Sequence, residues 1–236
     1  MDERVPWCYT RILTMRIGIV SEGRADQAVI MNIVKGITGL DDSDIKPILP
    51  IRALDETDKA RIKDKTEFGG FSAIKKELET GTLVEEFLAI DGQEFVIIHL
   101  DTAECHAYDV QRPEKKATQY AEKVRSLVID KINTWLGNIN KDQIIYAIAV
   151  EETDAWLLPL FEKKDSTTGY KAKEKLAGLL AKKDLDATSN YENFLILSKP
   201  FLKKKHIEKG KFLEYNISLK AFFEEVENKV LPKLKN

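Results

Sequence analysis

The sequence predicts an α/β protein: a Rossmann-like, mostly parallel sheet flanked by helices, with a helical C-terminal extension. Three observations carry this expectation. Short apolar runs, Arg16–Val20, Glu94–Asp101 and Gln143–Val150, lack the polar alternation of a half-exposed strand and fit strands buried on both faces. Segments with apolar residues at helical spacing lie between them, as crossovers between parallel strands require. Each run also ends in acidic residues, at the side of an open α/β sheet where ligand sites form. The chain divides into an N-terminal extension (1–14), an α/β domain (15–162) and a helical C-terminal region (163–236).

Taken in order, Arg16–Val20 is the first strand, and Ser21-Glu-Gly-Arg24 is the turn that follows. Val29, Ile30, Ile33, Val34 and Ile37 recur at helical spacing up to a stop at Gly39. Ile45–Ile51 is a weaker second strand, because Pro47 and Pro50 cannot donate to a ladder. The highly charged Asp55–Lys65 is expected on the surface. Phe71–Glu79 and Leu83–Ile90 read as helices parted by Gly81. Glu94–Asp101 is the clearest strand. Ala117–Leu136 is a long amphipathic helix with Tyr120, Val124, Leu127, Val128, Ile132 and Trp135 on one side. Gln143–Val150 is the last strand and Glu152–Phe161 a helix starting at its end. Helices are expected at about 170–183, 188–198 and 216–229, covering a sheet edge or forming a subdomain.

A chain of 236 residues, 43% hydrophobic, can bury a real core. Its 32% charged residues mix both signs, and the formal net charge of −2 excludes a uniformly basic nucleic-acid glove. The charge is uneven, however. From Lys199 to Asn236 ten lysines face five glutamates, a net of +5, which leaves −7 for the rest. An acidic front with a basic tail suits metal ligands in one part and phosphate contacts in the other, or simply a pair of solvated helices. The two cysteines, Cys8 and Cys105, form no Cys-x-x-Cys pair, so a structural zinc site is not expected and a reduced, cytoplasmic location is. No apolar run approaches the ~20 residues that span a bilayer, and no secretory signal is visible. There is no P-loop, no Gly-x-Gly-x-x-Gly after Val20 and no Gly-x-Ser-x-Gly elbow.

The strand ends supply the candidate site. The first gives Glu22 with Asp26 nearby, the second Asp101 with Glu104, the third Glu151, Glu152 and Asp154. Carboxylates gathered within a few ångström repel one another and take up protons unless a cation neutralises them. Oxygen-only sites suit Mg²⁺, Mn²⁺ or Ca²⁺. Glu22, Asp101, Glu104, Glu151 and Asp154 are the candidate metal ligands, and Glu22 and Asp101 the candidate catalytic pair. Asp26 and Asp154 equally fit helix-capping roles. Arg24 could hold a phosphate bidentately. Lys199, Lys203 and Lys204, interleaved with Phe201, Phe212 and Tyr215, could contact a nucleic-acid backbone. His99 reads as a core histidine, facing Asp101 only where the pleat breaks. Trp135 and Trp156 read as core.

These residues resemble a known pattern. Val20-Ser-Glu22-Gly23-x-x-Asp26 is similar to the first TOPRIM motif. His99-Leu-Asp101-Thr-Ala103 sits where TOPRIM domains carry Asp-x-Asp. Val150-Glu-Glu-Thr-Asp154-Ala-Trp156-Leu-Leu158 resembles the Glu-Ala-Trp-Leu-Leu segment of small stand-alone bacterial TOPRIM-like proteins, related to the overcoming-lysogenisation nucleases. The resemblance runs from Met15 to Phe161. It implies a TOPRIM-like fold and a nuclease that uses Mg²⁺ or Mn²⁺. Asp101 would be its principal ligand, and Glu22 a general acid/base or ligand. By the same analogy the chain would act on nucleic acid in phage or mobile-element defence, with a separate ATPase as partner. The sequence departs from the pattern at Ala103, in place of the second Asp, and at Asp154, in place of Glu. Two other readings stay open: a non-catalytic binding module with a degenerate site, and a metal-dependent phosphatase or phosphotransferase.

Overall fold

The computed structural model describes residues 15–50, 70–115 and 117–234. The N-terminal extension and the charged stretch Asp55–Lys65 therefore lie outside the described residues. The first strand, β1 (Arg16–Val20), leads into α1 (Arg24–Thr38), which Gly39 ends in a left-handed conformation. Next comes β2 (Ile45–Leu49). Helices α2 (Phe71–Thr80) and α3 (Thr82–Leu88) precede β3 (Gln93–Asp101). Helix α4 (Tyr120–Leu136) returns the chain to β4 (Ile144–Ala149). The remaining helices are α5 (Asp154–Leu157), α6 (Ala172–Ala181), α7 (Tyr191–Leu197), α8 (Lys204–Gly210) and α9 (Ile217–Leu234).

Among the described residues four strands form one parallel sheet in the order β2-β1-β3-β4. Pro47 is tolerated because β2 is an edge strand, where a ladder donor can be lost. From β1 the chain moves outward to β2, then passes to the other side of β1 to form β3. That reversal creates a switch point between the carboxyl ends of β1 and β3, where two connections leave in opposite directions and open a crevice.

Both sheet faces are covered, as the unbroken apolar runs demand. On one face Val96, Ile98, Leu100 and Ile148 pack with α2, α3 and α4. On the other, Ile17, Ile19, Ile97, Ala147 and Ala149 pack with α1 and the C-terminal helices. The C-terminal region thus covers a sheet face, not an edge, and shares one continuous core with β1, β3 and β4. Its fit against α1 is close: a Cβ on Gly36 would lie 1.8 Å from the carbonyl oxygen of Phe201.

Three local expectations change. The helix expected over 152–161 is α only over Asp154–Leu157 and then tightens into a 3-10 turn, Leu158–Leu160, because Pro159 has no amide proton to continue the ladder. Leu127, placed on the buried side of α4, is 40% exposed, since Ala121 and Leu136 take that side instead. Phe201 is fully buried and Phe212 packs edge-on against it at 6.0 Å, so two of the three aromatics in the basic tail belong to the core.

Candidate functional site

Glu22 leaves the tip of β1 at the switch point. Its Oε1 accepts a 2.7 Å hydrogen bond from the backbone amide of Asp101, the last residue of β3. The carboxylates of two strands far apart in sequence therefore share one mouth. Gly23 lets this turn pass close to α1, because a Cβ there would lie 2.9 Å from Asp26 Oδ2. Asp26 sits in the first turn of α1, where a negative charge also complements the helix dipole.

Asp101 is held from beneath. Thr153 Oγ1 donates to Asp101 Oδ1 at 3.2 Å, and His99 Nε2 lies 2.9 Å from Thr153 Oγ1 and 3.3 Å from Asp101 Oδ1. With the threonine proton directed at Asp101, Nε2 must carry the proton it gives to Thr153. His99 is fully buried, its Nδ1 has no partner among the described residues, and its ring meets Trp156 edge-on at 6.2 Å. It is a core histidine, as expected, but its expected orientation is corrected. The β3–β4 register runs unbroken through His99, Leu100 and Asp101, so alternation alone places residues 99 and 101 on one face.

These carboxyl groups titrate abnormally. Burial, then the neighbouring Asp101 charge, pushes Glu22 up to about 8. Burial raises Asp101 to about 6 against the opposing pull of His99. Burial, then the charges of Glu152 and Asp101, raises Asp154 to about 6. For His99 burial works downward, but the charges of Asp26, Asp101 and Glu22 outweigh it and push the imidazole up to about 9.

Around this centre opens a cleft of about 550 Å³. Glu22, Asp26, Asp101, Glu104, Glu152 and Asp154 line it, with Arg24 and Lys173 on its walls. Four of the five expected metal-ligand carboxylates are thus brought together. Glu151 is not. It takes a left-handed backbone, φ 65°, and turns to an adjoining pocket, where Arg112 Nη1 donates to its Oε1 at 3.0 Å. Lys115 Nζ reaches the same oxygen at 3.1 Å. Such a neutralised carboxylate is a poor cation ligand. Its neighbour Glu152 faces the cleft in its place.

The expected phosphate contacts also divide. Arg24 lies at the cleft, its guanidinium 5.3 Å from the centroid of the Tyr191 ring. Lys199 belongs to the 3-10 turn Lys199–Leu202, which packs on α1 near Gly36, about 18 Å along the helix from Arg24 at 1.5 Å per residue. Lys203 follows it, and Lys204 is paired with Glu227. None of the three lines the cleft. Sequence reasoning missed Lys173 and Thr153, and passed over His99 as a site residue.

The resemblance implies a divalent cation at these carboxylates. Glu22 Oε1 and Asp101 Oδ1 are engaged, whereas Glu22 Oε2 and Asp101 Oδ2 have no protein partner among the described residues. Two buried, mutually repelling carboxylates with an oxygen each to spare fit a hard cation in kind. No group of three acidic, histidine or cysteine side chains stands ready to enclose an ion among the described residues. Among the same residues, no helix is long and apolar enough to cross a membrane. Compared with protein-family models, curated proteins and solved structures, the chain has no significant match to any of the three.

Proposed function

We propose that the chain is a divalent-metal-dependent phosphodiester hydrolase, a nuclease of TOPRIM type. The observation that carries this reading is the meeting of Glu22 and Asp101 at the switch point, with both groups pushed above the ordinary carboxylate range. Asp101 and Glu22 would hold Mg²⁺ or Mn²⁺, with Glu104, Glu152 and Asp154 around them. When bound, the ion supplies charge neutralisation at the scissile phosphate and a more acidic water.

The chain's own residues do the rest. Glu22, at about 8, carries a proton at neutral pH in the metal-free protein, and added positive charge favours its release. It is therefore suited to exchanging a proton at Oε2 with the attacking or leaving oxygen. Asp101 is oriented by Thr153 and His99 and does not depend on solvent for its geometry. Lys173 and Arg24 are placed to receive phosphate oxygens. By analogy through the motif resemblance alone, the proposal extends to a role in phage or mobile-element defence beside a separate ATPase.

A second reading, a metal-dependent phosphatase or phosphotransferase, is favoured by one fact: Lys199, Lys203 and Lys204 lie away from the cleft. The test is a panel of single- and double-stranded DNA and RNA, together with small phosphate mono- and diesters, assayed in EDTA and then with Mg²⁺ or Mn²⁺. Metal-dependent cleavage of polymers, lost in Glu22→Gln, is expected. Turnover of small monoesters alone establishes the second reading. Metal binding with no turnover of any substrate leaves a non-catalytic module.

A further inference from the structure

The cations nearest the cleft are not those of the basic tail. Tyr170, just ahead of α6, is 54% exposed, a large aromatic facing solvent. Lys115 Nζ and Lys175 Nζ stand 5.6 and 5.5 Å from its ring centroid. Lys171 and Lys173 follow it one and three residues on, and all four lysines are exposed. Lys171, Lys173 and Glu152 line the pocket that adjoins the acidic cleft, and Lys173 and Glu152 line both. The two pockets therefore run together from Lys171, the residue after Tyr170, to Asp101. The local charge is partly offset, since Lys115 reaches Glu151 at 3.1 Å and Lys171 reaches Glu174 at 3.2 Å.

An exposed ring among exposed ammonium groups has a specific use. Any base can stack on a tyrosine face, while lysines follow the phosphates that connect successive bases. In a duplex the bases are already stacked and cannot reach the ring. The basic tail offers no aromatic as exposed as Tyr170: Phe201 is fully buried, Phe212 packs against it and Tyr215 is half-buried.

We propose that Tyr170 with Lys115, Lys171, Lys173 and Lys175 is a binding platform for single-stranded nucleic acid that feeds the acidic cleft. Tyr170 stacks on a base, Lys115, Lys171 and Lys175 take backbone phosphates, and Lys173 stands where the strand enters among the carboxylates. The feeding role rests on the hydrolase reading above; the platform does not.

The experiment is fluorescence anisotropy of the full chain with labelled oligothymidine of about 12 nucleotides, and with a duplex of equal length, at low salt in EDTA. The single strand is expected to bind at least ~10-fold more tightly than the duplex. Tyr170→Ala should weaken single-strand binding ~10-fold or more, with an unchanged melting curve, and Tyr170→Phe should restore it. Lys115→Gln with Lys175→Gln should lower the salt slope by about 1.4, while Lys199→Gln should leave binding as it was. Equal affinity for the two forms, no binding to either, a neutral Tyr170→Ala, or equal displacement by polyglutamate would overturn the platform. Because EDTA silences metal-dependent cleavage, the two failures separate. Duplex cleavage with metal but no preference here removes the platform alone; the reverse leaves a single-strand-binding module without hydrolysis.

Discussion

Two carboxylate clusters stand side by side at one end of this sheet, and they are balanced in opposite ways. Glu151 meets Arg112 and Lys115, accepts from the Tyr120 hydroxyl at 3.2 Å, and has its backbone amide bonded to Thr102 Oγ1 at 2.8 Å. Arg112 in turn donates to the carbonyls of Thr102 and Ala103. Every charge there has an opposite within reach, and these contacts offset a left-handed backbone that costs about 1 kcal/mol or more at a non-glycine residue. Around Glu22 and Asp101 the acids outnumber the bases, and the nearest counter-charge, His99, is buried beneath them. The first cluster secures the loops. The second stores unbalanced charge that a proton or a cation must relieve.

The largest test of this contrast is substitution on each side. Mn²⁺ is expected to raise the Tm of the intact protein and to do nothing for Asp101→Asn, while Glu22→Gln is expected to lower metal-dependent turnover ~10²–10⁴-fold. Glu151→Gln should change neither by much. Loss of metal response in Glu151→Gln with retention in Asp101→Asn would invert the assignment. Next in size is Arg112→Met, which leaves Glu151 to Lys115 and Tyr120 and takes a charged donor from the carbonyls of Thr102 and Ala103, and should cost about 1–3 kcal/mol in chemical denaturation, partly recovered by adding Glu151→Gln. A silent Arg112→Met would mean that the balanced cluster contributes no more than an ordinary surface ion pair.

The smallest expected effect is on pH. Glu22, Asp101, Asp154 and His99 all have folded values raised above their ordinary ones, so each binds its proton more tightly in the folded protein. Their contribution is full in acid and is lost as pH rises through about 6 for Asp101 and Asp154, about 8 for Glu22 and about 9 for His99. Tm of the metal-free protein should therefore fall between pH 5.5 and pH 9, by about 3 °C or more, and Mn²⁺ should restore more of it at the alkaline end. A flat profile would show that the acidic cluster is not under the expected load.

The architecture was legible because strand burial and helical spacing are local in sequence. The β-branched runs and the stop at Gly39 mark their elements directly, and the carboxylates after β1 and β3 follow from where parallel strands end. What was not legible depends on one dihedral or one long-range contact. Glu151 and Glu152 are adjacent and chemically alike, yet only Glu152 reaches the acidic cleft; Glu151, with its positive φ, lines only the adjoining pocket. Lys173 reaches the cleft only through the packing of α6, which no motif announces. His99 was available from the alternation of β3 and was passed over as core, which it also is. The lysines of the tail drew notice by density, yet their place was set by how Lys199–Leu202 seats on α1.

The shared core has a practical corollary for anyone working with pieces of this protein. Cutting the chain after residue 162 would uncover Ile30, Val34, Ala147 and Ala149, which now rest beneath residues such as Phe194, Phe222 and Val226. The shortened fragment would keep Glu22 and Asp101 while baring a broad oily slab, an invitation to aggregate. The helical tail is a lid on the hydrophobic interior, and the motif-bearing part should be handled only with it attached.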